Sequence, residues 1–235
     1  MAKYALDHSL EEAPAPSRHG ALAHALPLVR IDHVDETGAD GRRARAPLSQ
    51  LLREGQLLEL SGSAPGKLST VARLIVHAQG QGEPVAWVSA RDAAGFYPPD
   101  FVLGGIDLAA LVVVRVPSEH GPHALVRASE VLLRSGAFGL LVIDFGSAPM
   151  PRGEIAWQAR LSGLVRKHAS RVVLLTASRP EEPSLGPLIA LRVAPHTERE
   201  GARAVLVHDV LKSKVGELSG ASPDVRALPV GAIRL

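Results

Sequence analysis

From residue 47 onward, short and almost purely apolar runs alternate with stretches whose apolar residues recur at helical spacing. The apolar runs fall at 56–61, 85–90, 111–116, 139–144, 172–176, 188–193 and 204–211, and each predicts a strand. Between the first two, Val71, Leu74, Ile75 and Ala78 lie at i, i+3, i+4 and i+7, on one helix face. Leu125, Ala128 and Leu132 mark a second helix after Pro122. Trp157, Leu161, Leu164, Val165 and His168 line a third. Residues 47–53 predict one or two helical turns. Strands without polar alternation are buried on both faces, so the pattern predicts an α/β fold: a mainly parallel, twisted sheet with helices on both faces. The last two strands have no helix between them, and one sheet edge is expected to be antiparallel.

The first 46 residues read differently. A short helix is expected before the breaking run Pro14-Ala15-Pro16, a short strand at 28–34, and a polar loop with Arg42, Arg43 and Arg45 at 36–45. The chain thus divides into a partly flexible extension (1–46), a core (47–216) and a weakly patterned tail (217–235). The tail is expected to pack on the core or on a partner.

Composition narrows the chemistry. The 235 residues are 46% hydrophobic, enough for a sizeable core. There is no cysteine, which excludes disulfides, thiolate zinc sites, cysteine nucleophiles and Cys-ligated clusters. A formal charge of +2 is too small to drive strong nonspecific nucleic-acid binding, and 3% aromatics offers few base-stacking platforms. The longest apolar run, 108–116, is too short to span a bilayer and contains Arg115. The N-terminus carries Asp7, Glu11 and Glu12 with no apolar h-region. A cytoplasmic protein with no membrane partner is expected.

Three segments carry chemistry. The first is Ser61-Gly62-Ser63-Ala64-Pro65-Gly66-Lys67-Leu68-Ser69, set between a strand and a helix. A phosphate loop belongs there, with the pattern G-x-x-x-x-G-K-[ST]. Backbone N–H groups at a helix N-terminus cradle phosphate, the lysine reaches its oxygens and the hydroxyl holds Mg²⁺. In this chain Gly62 and Gly66 are one residue too close, and Pro65 removes one N–H donor. Leu68 stands at the hydroxyl position. Ser69 is turned away by about 100° per residue of helix. A Gly-rich helix start that binds nothing is the other reading. The second segment is the apolar strand ending in Asp144, a Walker-B arrangement in which a carboxylate orients Mg²⁺ and its water. The Asp144-Phe145-Gly146 triplet mimics a kinase motif whose partner segments are missing here. The third is the strand end at Ser89-Ala90-Arg91-Asp92, a usual place for a water-activating carboxylate, where Arg91 or Asp92 falls depending on register.

The order and spacing of these segments resemble the RecA-type recombinase core, over roughly residues 50–216. The run Leu133-Arg134-Ser135-Gly136-Ala137 leading into Leu141-Val142-Ile143-Asp144 is similar to the family's segment through Walker B. The resemblance implies that Arg91 replaces the catalytic glutamate. It implies that Lys212 and Lys214 match the paired lysines that reach a nucleotide held by the neighbouring protomer. A guanidinium in place of a carboxylate reverses the charge and removes any base. With Leu68 in the metal position as well, hydrolysis is not expected and bound ATP or Mg²⁺ is disfavoured; nucleotide bound without hydrolysis is the intermediate reading. The loops corresponding to the family's DNA-binding loops are short, and the second, 178–187, carries Glu181 and Glu182. DNA contact is therefore expected to be weak or indirect. Arg152, Arg160, Arg166 and Lys167 read as a solvated helix face or, in the sharper reading, as a basic interaction surface for DNA or an acidic partner.

Among such size-reduced relatives the chain most resembles the ImuA family. That resemblance implies a non-catalytic accessory role in SOS-induced translesion synthesis. Its implied partners are RecA, an ImuB-type polymerase homologue and, indirectly, an error-prone replicative-type polymerase. Two other readings stand beside it: a nucleotide-binding RecA-like ATPase using Gly66, Lys67, Ser69 and Asp144, and a cell-division inhibitor of the SulA type. His120 and His123 have metal spacing but sit around Gly121 and Pro122 without a third ligand, and Asp32, His33 and Asp35 read as a polar turn, so no metal site is expected.

Overall fold

The structure, a computed structural model, describes residues 48, 52–62, 64–146, 150–151, 154–200, 203–214 and 228–229. The expected extension, with its arginine loop and the Asp32, His33 and Asp35 set, lies outside these residues. So do Arg152 and most of the tail.

The described residues form an eight-stranded sheet in the order β3-β2-β4-β5-β1-β6-β7-β8. Its parallel part comprises β1 (Gln56–Leu60), β2 (Val85–Ala90), β3 (Leu111–Val116), β4 (Leu140–Asp144) and β5 (Arg171–Leu175). The first three residues of β6 (Leu191–Glu200) continue the parallel pairing beside β1. β7 (Arg203–Ser213) then runs antiparallel to β6, as the missing helix between them predicts. β8 (Leu228–Pro229) adds two residues of the tail to β7. Past Val193, β6 is paired with β7 alone, which leaves one side free and suits Pro195.

The layers are completed by α1 (Ala64–Gly80), α2 (Pro98–Leu103), α3 (Gly121–Arg134) and α4 (Glu154–Lys167). Successive strand residues point to opposite faces, and the two cores show it. Leu58, Leu60, Trp87, Val142 and Val173 pack against Val71, Leu74, Ile75 and Ala78 of α1. Leu57, Val88, Leu141, Ile143, Val172 and Leu174 pack against α3 and α4 through Leu125, Val126, Leu133, Trp157, Leu161 and Val165. Full burial of each such side chain contributes roughly 1.5–3 kcal/mol.

The strand boundaries differ in places from the pattern. β5 starts at Arg171, which pairs with Gln56 and Leu140 and forms an ion pair with Glu83. β6 starts at Leu191, later than expected, because 188–190 belong to the preceding loop. It then runs on through polar residues as a hairpin with β7. The short α2 was not visible as periodicity. Two prolines start it, and its single buried residue, Phe101, joins Phe96 and Trp87 in an aromatic cluster with centroids 4.6–5.5 Å apart. Of the helical turns expected at 47–53, Leu48 is helical and buried and Leu52 is buried in the α1 core. Among the described residues no helix is long and apolar enough to cross a membrane.

Candidate functional site

The strand register lines up one row of residues at the C-terminal edge of the parallel sheet. Arg115 pairs with Ser89, Ser89 with Asp144, Asp144 with Leu175, Leu175 with Leu60, and Leu60 with Val193. The period of two puts this row on the α1 side, since Trp87, Val142 and Val173, two residues earlier, pack there. In open α/β sheets the carboxyl ends of the strands are where ligands bind.

α1 starts right after β1 and projects Lys67 over this edge. Lys67 Nζ donates to the carbonyl oxygen of Thr176, just past β5. Burial pulls the Lys67 ammonium below its ordinary value, while the charge of Asp144 pushes it back up. Gly66 has no room for a side chain, because a Cβ there would overlap the backbone carbonyl of Pro195. The loop glycine is thus required by the packing of α1 on β6. Gly62 adopts φ +95°, the left-handed region, and turns the chain from β1 into α1. Its N–H donates to the Ser178 carbonyl at 2.9 Å. Ser69 is half-buried and Leu68 packs on the α1 core.

Asp144 is 5% exposed. One oxygen accepts the Gly146 N–H at 2.9 Å, which explains the Asp-Phe-Gly triplet as a local turn. The other lies against Gly95, where a Cβ would overlap Oδ2. Burial raises the Asp144 carboxyl above its ordinary value, and the Gly146 N–H, Lys67 and Arg115 oppose that rise. Arg115 was not among the residues the motifs singled out. It donates to Ser89 Oγ at 3.2 Å and to the carbonyls of Ala90, Ala93 and Phe96 at 3.4, 3.0 and 3.0 Å, and it sits 5.6 Å from the centroid of the Phe96 ring. An arginine interrupting a valine strand was its only mark in the sequence. Arg91 lies exposed just beyond β2, its N–H bonded to the Val116 carbonyl at 2.8 Å.

A second polar cluster occupies the opposite face of the same edge. Glu59 is fully buried; it accepts from Thr176 Oγ1 at 3.2 Å and Leu185 N at 3.0 Å, and lies 3.5 Å from Arg192 Nε. Burial raises the Glu59 carboxyl; the Leu185 N–H, Arg192, Thr176 and Lys212 hold it down. Arg192 also donates to Ser61 Oγ at 3.2 Å, to the Arg179 carbonyl at 2.7 Å and to the Glu182 carbonyl. Lys212 donates to Ser184 Oγ at 2.8 Å and the Gly186 carbonyl at 2.7 Å, and Lys214 to the Pro187 carbonyl. Gln158 of α4 donates to the Leu185 carbonyl at 2.9 Å. The two lysines that the resemblance assigned to a neighbour's nucleotide are here bonded to their own β5–β6 loop. Sequence reasoning missed Glu59 and Arg192, because a single charged residue inside a strand does not disclose its partner.

The basic helix is distributed rather than clustered. Arg160 is bonded to Glu130 of α3 at 2.7 Å, and Arg134 approaches the same carboxylate at 3.7 Å. Arg166 and Lys167 are exposed at the end of α4, where Arg166 lies beside Gly55. His120 closes a 3-10 turn and His123 lies in the first turn of α3. Among the described residues no group of three or more His, Asp or Glu could hold a metal ion.

The chain is 30% identical over 159 residues to RecA from Mycobacterium sp. (strain KMS), covering 60% of this chain and 44% of that protein. It is 26% identical over 183 residues to RecA from Fusobacterium nucleatum, covering 70% of this chain and 45% of that protein. The crystal structure of the RadB recombinase superposes with a TM-score of 0.52 at 17% identity, covering 70% of this chain and 86% of that one. The fold is RecA-like. The chain spans under half the length of these curated RecA relatives. No family model matches it.

The RecA-like fold puts Lys67 and Asp144 where a Mg²⁺–nucleotide would be expected to meet the sheet. The residues present do not fit that group as they stand. The hydroxyl position is Leu68, both Asp144 oxygens face their own chain, and Lys67 is held by Thr176.

Proposed function

We propose that this chain is a non-catalytic RecA-like accessory protein of SOS-induced translesion DNA synthesis that binds RecA and an ImuB-type polymerase homologue. The observation that carries the reading is the self-occupied site. The RecA-like frame is kept, while Lys67 and Asp144 are engaged by Thr176, Gly146 and Gly95. Phosphoryl transfer needs positioned phosphate, metal and an oriented water together. Here the metal hydroxyl is replaced by Leu68 and the acid by exposed Arg91. A protein of this kind acts through its surface: a protomer-like face docks on RecA, and other faces engage the polymerase partner. The ImuA-type role itself is supported by the sequence resemblance in and around the three motif segments.

The test is a tagged purification from DNA-damaged cells, with partners identified by mass spectrometry. RecA and a Y-family-like polymerase are the expected recoveries. The division tubulin, or neither protein, would remove the reading.

The ATPase reading has one observation in its favour: Lys67, bonded to Thr176 just past β5, and Asp144, at the end of neighbouring β4, lie at the same sheet edge. MgATP turnover that disappears in Lys67→Ala would establish it.

A further inference from the structure

Arg115 makes four hydrogen bonds near the sheet edge, and no motif assigns it. It rises from edge strand β3, beside β2, on the α1 side. Two of its four hydrogen bonds hold the end of β2, at Ser89 and Ala90, and the other two go to carbonyls of the segment that follows, Ala93 and Phe96. A guanidinium presents a rigid fork of donors, so several such bonds fix the segment's path more firmly than a lysine could. The Phe96 ring below it is locked in turn by Trp87 and Phe101. This path brings Gly95 so close to Asp144 Oδ2 that no Cβ would fit between them. The opposite oxygen is already taken by Gly146 N–H.

A hydrated Mg²⁺ keeps several waters and needs an open carboxylate edge. With segment 91–97 in place, the Asp144 carboxylate offers neither the edge nor the space. Two fixed cations, Arg115 and Lys67, act electrostatically on the same carboxylate where a divalent ion's charge would fall. We propose that Arg115 is a staple that closes segment 91–97 over Asp144 and so shuts this carboxylate to divalent metal. The inference deepens the non-hydrolysing reading of the site and is independent of the chain's partners. Failed recovery of RecA would leave it standing, and its own failure would leave the partner reading standing.

Mn²⁺ binding followed by electron paramagnetic resonance tests it on the whole chain without nucleotide. In the wild type, Asp144→Asn should change nothing. Arg115→Ala should gain a site that binds about tenfold more tightly than any wild-type Mn²⁺ binding, because the open form becomes populated. That site should vanish in the Arg115→Ala, Asp144→Asn double variant. Circular dichroism confirms folding. If Arg115→Ala does not fold, Arg115→Lys keeps the charge, loses the fork and is read the same way. Hydrogen exchange of the Arg91 and Ala93 amides in the wild type gives an independent reading, with protection expected. A wild-type Mn²⁺ site lost in Asp144→Asn, no gained site in a folded variant, or unprotected amides at 91 and 93 would each overturn the proposal.

Discussion

His208 is the side chain whose ionisation bears most directly on stability. It is 4% exposed on β7, and its Nε2 lies 2.9 Å from Thr70 Oγ1 of α1. Burial first, then the charges of Arg73 and His196, lower it from 6.5 to about 4. The unfolded chain therefore binds more protons than the folded one between these values. The neutral His208 contributes stability that is fully present above pH 6.5 and is lost as pH falls towards about 4. The size is on the order of 3 kcal/mol. Urea unfolding at steps between pH 4 and 7 should show that loss in the wild type and a flatter profile in His208→Gln. Equal slopes would mean that His208 does not drive it. Asp144 and Glu59 are shifted the other way, so the variant comparison is what isolates the histidine. Lys67 makes the residue-scale lesson concrete. Its place after the glycines was legible as a motif, but its bond to Thr176 depends on a residue more than a hundred positions away.

At the scale of elements, the β5–β6 loop is the informative case. Its glutamates and prolines read as a shortened, acidic loop. In the structure 178–190 is tied to the sheet by Glu59, Arg192 and Lys212 and to α4 by Gln158. Thr176 links this cluster to the other face: its hydroxyl bonds Glu59 and its carbonyl takes Lys67. Removing one partner of a buried pair strands the other charge, at a cost of roughly 3–5 kcal/mol. Arg192→Ala should lower unfolding free energy by about that much and speed hydrogen exchange at the Leu185 amide, which Glu59 caps. An unchanged midpoint in denaturant would show that the pair is not what holds the loop. The element missed by pattern, α2, has the same lesson in miniature: six residues are too few to show a period, and packing of Phe101 on Trp87 decides it.

Over the whole molecule, two apolar cores hold the sheet between α1 on one face and α3 with α4 on the other. If the chain acts by docking without nucleotide, Lys67→Ala should leave recovery of RecA and the polymerase partner unchanged, because Lys67 is half-buried and bonded to its own Thr176 carbonyl. Loss of RecA recovery in a folded Lys67→Ala would count against docking as the mechanism. Conversely, the exposed cations Arg166 and Lys167 at the end of α4 are free to be exchanged without touching either core.

The layer architecture is legible in the chain, since continuous apolar runs demand burial on both faces and helical spacing supplies the covers. So is the incompleteness of the phosphate-loop pattern, since Pro65 and Leu68 are facts of composition at fixed positions. Which charges meet is set by the folded arrangement of the strands. Glu59 with Arg192, Arg115 with the 91–97 segment, and Lys212 with Ser184 are joined by strand order and register. Local pattern cannot encode those pairings, because they depend on which distant strands become neighbours. The same cause closes the site: Gly95 reaches Asp144 only because β2 and β4 lie side by side in one register.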